Sequence, residues 1–510
     1  MNGVAAANAI AAAEAVEAAD AADAADAVDA ADAVDAVDAV EAVDAVEAAD
    51  AVEAADAAEA DLLIVGAGAK AAAIAAKVHV LNGLGLGPIA LTIVEATEPA
   101  ASWSGRNGMT SGEEPLAIPP IKDVGFPYQS HETFGEVGDE IDRAMMPFTW
   151  QQYMIGERRY VRWVNAGSPS IQHRTYGKYL AWVLEHATEG VKLVRGRVTR
   201  VSLEEPVERW RIDVAECTDA PFYRGRALAL TGPGVHRPFP HDPDAAERIF
   251  HCDSRRIELA RIPIEQSADI AIVGGGESAL SCVAFLRAFR PDAQLTIYTP
   301  TLPLSRGESF LENRVFSNPD EVAWATLDEQ TRRDFVKHCD RGVFDPQTLA
   351  SIAYDDHCRF VTGRVTHVSS AADDRGVCVD YDDASPAGRV AVRHDYVVNC
   401  TGFDLLEQLR SLFPPAVRTE IEGRVGALWD RPPGQEIPIG RSLELEGMRP
   451  RLYIPGLGAL SQGPGFANLG SLGLLANRVL EPLVAERSRR GNGRSRSDSS
   501  ANRSTITEVI

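Results

Sequence analysis

Leu62-Leu63-Ile64-Val65-Gly66-Ala67-Gly68-Ala69-Lys70-Ala71 decides the fold. Four apolar residues read as a buried strand, the glycines as a tight turn, and the alanine-rich continuation over 70–81 as a helix. The stretch fits G-x-G-x-x-G/A. The first glycine permits the turn, the second lets backbone N–H groups approach a diphosphate, and the small third residue lets helix pack on strand. The helix N-terminus adds free donors and the positive end of its dipole. Ile270-Ala271-Ile272-Val273-Gly274-Gly275-Gly276-Glu277-Ser278-Ala279 repeats the pattern. Two such units in one chain point to two dinucleotides, usually FAD with NAD(P)H; the alternative is a repeated α/β scaffold with tight turns and no ligand. On the first reading Gly66, Gly68 and Ala71 cradle FAD, and Gly274, Gly276, Glu277 and Ser278 cradle NADPH.

Working outward, residues 91–94 form a second strand ending at Glu95, where an acidic side chain can accept hydrogen bonds from the FAD ribose. The matching strand of the second unit, 295–298, ends in Tyr298-Thr299-Pro300 without an acid. That absence favours NADPH, and the nearby Arg306 is a candidate for its 2′-phosphate. Amphipathic stretches over 149–166 and 176–187 read as helices. Residues 193–202, 210–214 and 227–231 read as β structure. The chain divides into an FAD domain, first part 61–265, an NADPH domain with substrate-contacting segments, 266–395, and an FAD domain second part with a small helical substrate region, 396–486. The fold class is α/β, with two Rossmann-like dinucleotide-binding domains, one interrupting the other. On this division the strand 396–400 and Thr401-Gly402 belong to the resumed first domain, and Gly402 joins the FAD site.

The net charge of −24 is misleading. Sixteen acidic residues recur at every third position from 14 to 59, and without them the remainder carries −8. No basic balance suggests nucleic acid. A period of three spirals around a helix and leaves no apolar face, so 1–60 is expected to be a disordered acidic leader. The Ser-, Arg- and Gly-rich tail 487–510 is expected to be disordered too, with the last helix closing near Glu486. The seven cysteines contain no C-x-x-C pair, so neither zinc nor a redox disulfide is expected and no metal is called for. No apolar run is long enough to span a bilayer and no signal peptide is evident, so no membrane partner and a cytoplasmic location are expected.

Several stretches carry a family likeness over about 61–480: VGAGAKAAAIAAK, IKDVGFPYQS, FTWQQYMIGERRYVRWVNAG with HRTYGKYLAWV, VGGGESA, RGESFLENRVFSNP, DRGVF and LSQGPGFANLGSLGLLANRVL. On these the chain resembles the flavin-dependent N-hydroxylating monooxygenases that act on lysine or ornithine, and within them the mycobactin-pathway lysine type. The resemblance implies FAD and NADPH, a C4a-hydroperoxyflavin as oxygen donor, O2 and an amino acid as substrates, L-lysine N6-hydroxylation in siderophore or related natural-product biosynthesis, and a homo-oligomer. Because the flavin does the chemistry, it implies no catalytic side-chain constellation. It places Lys122 on the substrate carboxylate, Asn313 on the amino-acid end, Ser471 among the substrate-binding residues and Trp103 beside FAD.

Some positions depart from the ornithine pattern. Glu277 replaces a glutamine and puts an anion near the NADPH phosphates; Ala117 stands where a flavin-side glutamine is usual; Asp340 takes the place of a second substrate-side asparagine. These changes favour lysine. Ornithine or another amine, and a degenerate nucleotide-binding flavoprotein, are the alternatives. A disulfide reductase lacks its cysteine pair here, and a Baeyer–Villiger oxygenase its F-x-G-x-x-x-H-x-x-x-W signature.

Overall fold

The computed structural model describes residues 59–106, 110–253, 267–372, 375–383, 388–431 and 435–501. The expectation for the leader, and that for 502–510, lies outside these residues apart from Glu59 and Ala60. Ala60 is buried and bridges Gly225.

Among the described residues the first elements are β1 (Leu62–Val65), α1 (Ala69–Gly83) and β2 (Leu91–Glu95); after several short helices come α2 (His173–His186) and β3 (Val191–Arg195). Next come β4 (Arg197–Glu204), β5 (Arg209–Ala215), β6 (Phe222–Gly225), β7 (Ala227–Leu230), β8 (Val235–His236) and β9 (Ile249–His251). The second unit contributes β10 (Asp269–Val273), α3 (Glu277–Phe289) and β11 (Gln294–Thr299), followed by α4 (Phe310–Ser317) and α5 (Glu329–Cys339). Then follow β12 (Cys358–Ser370), β13 (Val377–Asp383), β14 (Arg389–His394), β15 (Tyr396–Asn399), β16 (Phe403–Asp404), β17 (Arg451–Tyr453) and α6 (Leu472–Ala501).

Two sheets organise these elements. The first is five-stranded, ordered β17-β7-β1-β2-β3, and every pairing in it is parallel. The second is seven-stranded, ordered β14-β13-β12-β11-β10-β15-β9, parallel from β12 to β9 and antiparallel at β12-β13-β14. A three-stranded antiparallel sheet, β4-β5-β6, flanks the first. The apolar runs of β1 and β10 follow from burial on both faces, which parallel sheets require. Alanine on nearly every side of α1 has the same origin: Ala69 and Ala71 to Ala76 are all buried, so the helix is enclosed and its small side chains let α2 and α6 come close. One lysine is buried with them. Lys77 Nζ donates to Ser130 Oγ at 2.8 Å and lies 3.9 Å from Asp142.

Three expectations are corrected. β15 does not belong to the resumed first domain: it pairs with β10 on one side and β9 on the other, inside the second sheet. The second sheet therefore draws on strands from 249 to 399, and the chain crosses between sheets at the β8–β16 ribbon, where Val235 faces Asp404. An apolar run marks a buried strand but does not say which sheet it joins. The last helix does not stop near Glu486 but runs to Ala501, through Pro482. Helical hydrogen bonds are local, so a segment without an apolar face can continue a helix already begun on the core. The expected β structure over 193–202 is two strands, β3 and β4, and 149–166 holds two short helices, Trp150–Gly156 and Tyr160–Asn165. Among the described residues no helix is long and apolar enough to cross a membrane.

Trp210 ties the flanking sheet to the first. It is fully buried, stacks 5.9 Å from Phe413, and its Nε1–H donates to the Arg451 carbonyl on β17 at 2.9 Å. Trp210→Ala leaves a cavity and an unpaired carbonyl, so unfolding in urea should shift to lower denaturant by a cost of about 3–5 kcal/mol.

Candidate functional site

At the first fingerprint, Gly66 has φ +95°. A Cβ there would stand 3.2 Å from Thr231 Oγ1, which itself donates to the Val65 carbonyl at 2.9 Å. Thr231, at the end of β7, thus closes the turn from the neighbouring strand. Gly68 is the N-cap of α1 with no side-chain cap, and a Cβ on it would meet nothing within 4 Å. Uncapped helix N–H groups facing open space fit a diphosphate. Glu95 Oε2 accepts from Ala67 N–H at 2.8 Å, while Oε1 accepts from Thr97 N–H at 2.9 Å and Thr97 Oγ1 at 3.0 Å. The protein orients this carboxylate, whose spare lone pairs can take ribose hydroxyls. Ala71 is fully buried. Trp103 is half-buried, edge-on to His173 at 4.9 Å and Tyr176 at 5.5 Å.

The second fingerprint has the same build. A Cβ on Gly274 would collide with the Cys400 carbonyl at 2.3 Å, whereas Gly275 and Gly276 have no neighbour nearer than 3.6 Å. Gly276 is the uncapped N-cap of α3, with Glu277 and Ser278 opening the helix. Gly402 lies here and not at the first fingerprint. It has φ +100°, follows the end of β15, and its carbonyl accepts from Arg237 N–H at 3.1 Å. The two Thr-Gly pairs are equivalent: Thr231-Gly232 follows the strand beside β1 and Thr401-Gly402 the strand beside β10, so it is Thr231-Gly232, not Gly402, that stands by the first fingerprint.

Arg306 is also placed differently from expectation. Its guanidinium donates to Glu277 Oε1 at 3.2 Å and to the Ala117 carbonyl at 2.7 Å, pairs with Glu308, and lies 3.7 Å from Asp345. Three carboxylates hold it where a phosphate was expected. Its partner Glu277 is pushed up to about 7 by burial, with Arg306 opposing and Asp345, Glu308 and Asp340 adding to the rise. The anion that argued against NADPH is thus paired and partly protonated near neutral pH.

Lys122 and Asn313 come together, 191 residues apart in the chain. Lys122 Nζ donates to Asn313 Oδ1 and to Ser317 Oγ, both at 3.0 Å. Among the described residues no carboxylate lies within ion-pair distance of it. Burial lowers its pKa, Arg306 lowers it further, and Glu308 opposes. Asn313 and Ser317 are i and i+4 on α4, so one helix face presents both. A capping box, Ser309 with Glu312, fixes the start of that helix, and Asn313 Nδ2 donates to the Glu308 carbonyl at 2.8 Å. Ser317 was missed in the sequence; its i+4 spacing from Asn313 was the available signal. Ser471 is fully buried and gives its hydroxyl to the Ser317 carbonyl at 2.7 Å, supporting α4 from behind.

The glycine-rich run joins these parts. A Cβ on Gly465 would meet Phe316 O at 2.2 Å, and one on Gly470 the Phe316 ring at 2.4 Å, so glycine is needed for α4 to sit down. Asn468 Nδ2 donates to Asp340 Oδ1 at 2.9 Å, and Lys70 Nζ of the first fingerprint donates to the Ala467 carbonyl at 3.0 Å. Among the described residues no group of three or more metal-ligating side chains is assembled.

Comparison with known proteins adds to this geometry. The family model of L-lysine 6-monooxygenases and L-ornithine 5-monooxygenases matches residues 143–405. The L-lysine N6-monooxygenase MbtG of Mycobacterium tuberculosis is 34% identical over 422 residues, spanning 82% of this chain and 94% of that protein. The solved lysine monooxygenase NbtG of Nocardia farcinica, described as having an unprecedented NADPH-domain conformation, is 33% identical with a TM-score of 0.69, over 83% of this chain and all of that one. An ornithine N-hydroxylase from a Kutzneria species, solved with reduced FAD, NADP+ and L-ornithine, shares the fold at 17% identity and a TM-score of 0.65, over 84% of this chain and all of that one.

Glu277 ionises as pH rises through about 7. A carboxylate beside the second glycine turn repels phosphate, so the KM for NADPH should climb between about pH 6 and pH 8. Glu277→Gln should hold it low and flat; steady-state kinetics with both proteins across that range make the check.

Proposed function

Because this chain belongs to the family of L-lysine 6-monooxygenases and L-ornithine 5-monooxygenases, we propose that it hydroxylates the side-chain amine of L-lysine to N6-hydroxylysine, for assembly of a siderophore or related natural product. FAD and NADPH are its cofactors. Bound FAD, once reduced by NADPH, supplies the activation of O2 and the oxygen atom transferred to the amine.

The observation that carries the reading is Lys122: a half-buried ammonium held by Asn313 and Ser317, with no carboxylate at ion-pair distance among the described residues. Such a group binds the α-carboxylate of an amino acid through charge-assisted hydrogen bonds. The reacting form of the substrate is its neutral side-chain amine, whose ordinary pKa is about 10.4. Ser471 and the glycine-rich run hold α4 in place, and with it Asn313 and Ser317. Lysine is preferred to ornithine because the relatives at 33–34% identity carry lysine in their names, whereas an ornithine enzyme of Coprinopsis cinerea matches at 23% over 44% of this chain. A cytoplasmic location and self-association belong to the same proposal, and light scattering on the purified protein reads the latter.

Purified protein supplied with NADPH, O2 and a panel of lysine, ornithine and diamines should form hydroxylamine from lysine; product from ornithine alone would overturn the substrate. Lys122→Ala should raise the KM for lysine about thirtyfold or more, as expected for losing one partner of a desolvated charge pair, while NADPH oxidation continues.

A further inference from the structure

Lys70 is the one residue of the first fingerprint whose chemistry the turn does not require. It lies in the first turn of α1, two residues past Gly68. A cation is disfavoured there by the helix dipole. Its Nζ donates to the Ala467 carbonyl at 3.0 Å, and among the described residues no carboxylate reaches ion-pair distance. The charges around it oppose each other: Arg341 lowers its pKa and Asp340 raises it, while burial, the largest influence, brings it to about 8. Lys77, two turns further along the same helix, is buried with Asp142 close by. Lys70 therefore combines three unfavourable conditions: a positive helix end, partial burial and a neutral partner. The second fingerprint has Ser278 at the matching place.

An anion would offset all three. Side chains on a helix lean toward its N-terminus, so the Lys70 stem leans toward the uncapped N–H groups at Gly68. We infer that Lys70 is a cofactor-positioning residue whose ammonium pairs with the diphosphate of FAD and, through the Ala467 carbonyl, fastens the glycine-rich run to the occupied cofactor site. The inference rests on the FAD reading above. It adds a cation to a cradle that its backbone alone would otherwise form, and it links cofactor occupancy to the segment that supports α4.

The test is binding, not turnover. Apo-protein, as wild type, Lys70→Met and Lys70→Arg, is titrated with FAD by flavin fluorescence and with ADP-ribose by calorimetry, and the melting temperature of each apo-protein is recorded. Lys70→Met should weaken both ligands by a similar factor of about ten or more, and Lys70→Arg should restore most of it. The Lys70→Met apo-protein should melt no lower than wild type, because the substitution removes a part-buried charge that has no anionic partner among the described residues. Unchanged FAD affinity in Lys70→Met would overturn the inference. So would loss of FAD affinity with ADP-ribose binding intact, which would place the cation at the flavin ring, or a fall in apo melting temperature that accounts for the weaker binding. A wild-type protein that takes up no FAD would instead sink the functional reading itself.

Discussion

Removing an ammonium from water costs several kcal/mol unless an anion accompanies it, and that constraint orders the site. Three lysines test it. Lys77 has Asp142 close by and is structural. Among the described residues Lys122 and Lys70 donate to neutral oxygens, those of Asn313, Ser317 and Ala467, and have no carboxylate at ion-pair distance. On the proposed reading the compensating charge comes from what binds: an amino-acid carboxylate at Lys122 and a dinucleotide diphosphate at Lys70. Arg306 shows the opposite arrangement. Already surrounded by Glu277, Glu308 and Asp345, it has little call for a phosphate and serves instead to moderate a neighbouring acid.

α4 connects the regions. One face presents Asn313 and Ser317 to Lys122, and its C-terminal end rests on Ser471 and the glycines from Gly463 to Gly470. Those glycines are needed for packing: each leaves room for Phe316 or Pro319, and a side chain would lift the helix from its seat. The glycine-rich run in turn touches Lys70 and Asp340, so it joins the first glycine turn, α4 and the second unit. The two glycine turns differ within it. In matching first turns, one carries a lysine and the other a glutamate, which fits a flavin that stays and a nicotinamide nucleotide that comes and goes.

Much of this was legible in the sequence where a residue has only one physical use. Gly66 needs a positive φ, and a side chain on Gly274 would run into the Cys400 carbonyl; such positions identify themselves. Lys122 and Asn313 could be paired only through family likeness, because 191 residues separate them. The failures share one cause. Arg306 lies near the end of β11 in the chain, but two of the carboxylates that hold it, Glu277 and Asp345, are distant in sequence. Gly402 and Thr231 follow equivalent strands of different sheets, and the strand 396–399 reads equally well as a member of either. Local pattern names an element; pairing depends on what else has folded beside it.

The order of the first sheet bears on how the molecule is made. β17 lies at its edge against β7, yet its residues, Arg451–Tyr453, come some 220 positions later in the chain. Every strand of the second sheet lies between Ile249 and Asn399. On a ribosome, with synthesis running from the N-terminus, the inserted unit has all its strands in hand while the host sheet still presents β7 as an open edge. The nascent chain thus holds every strand of its second sheet before the edge strand that completes its first.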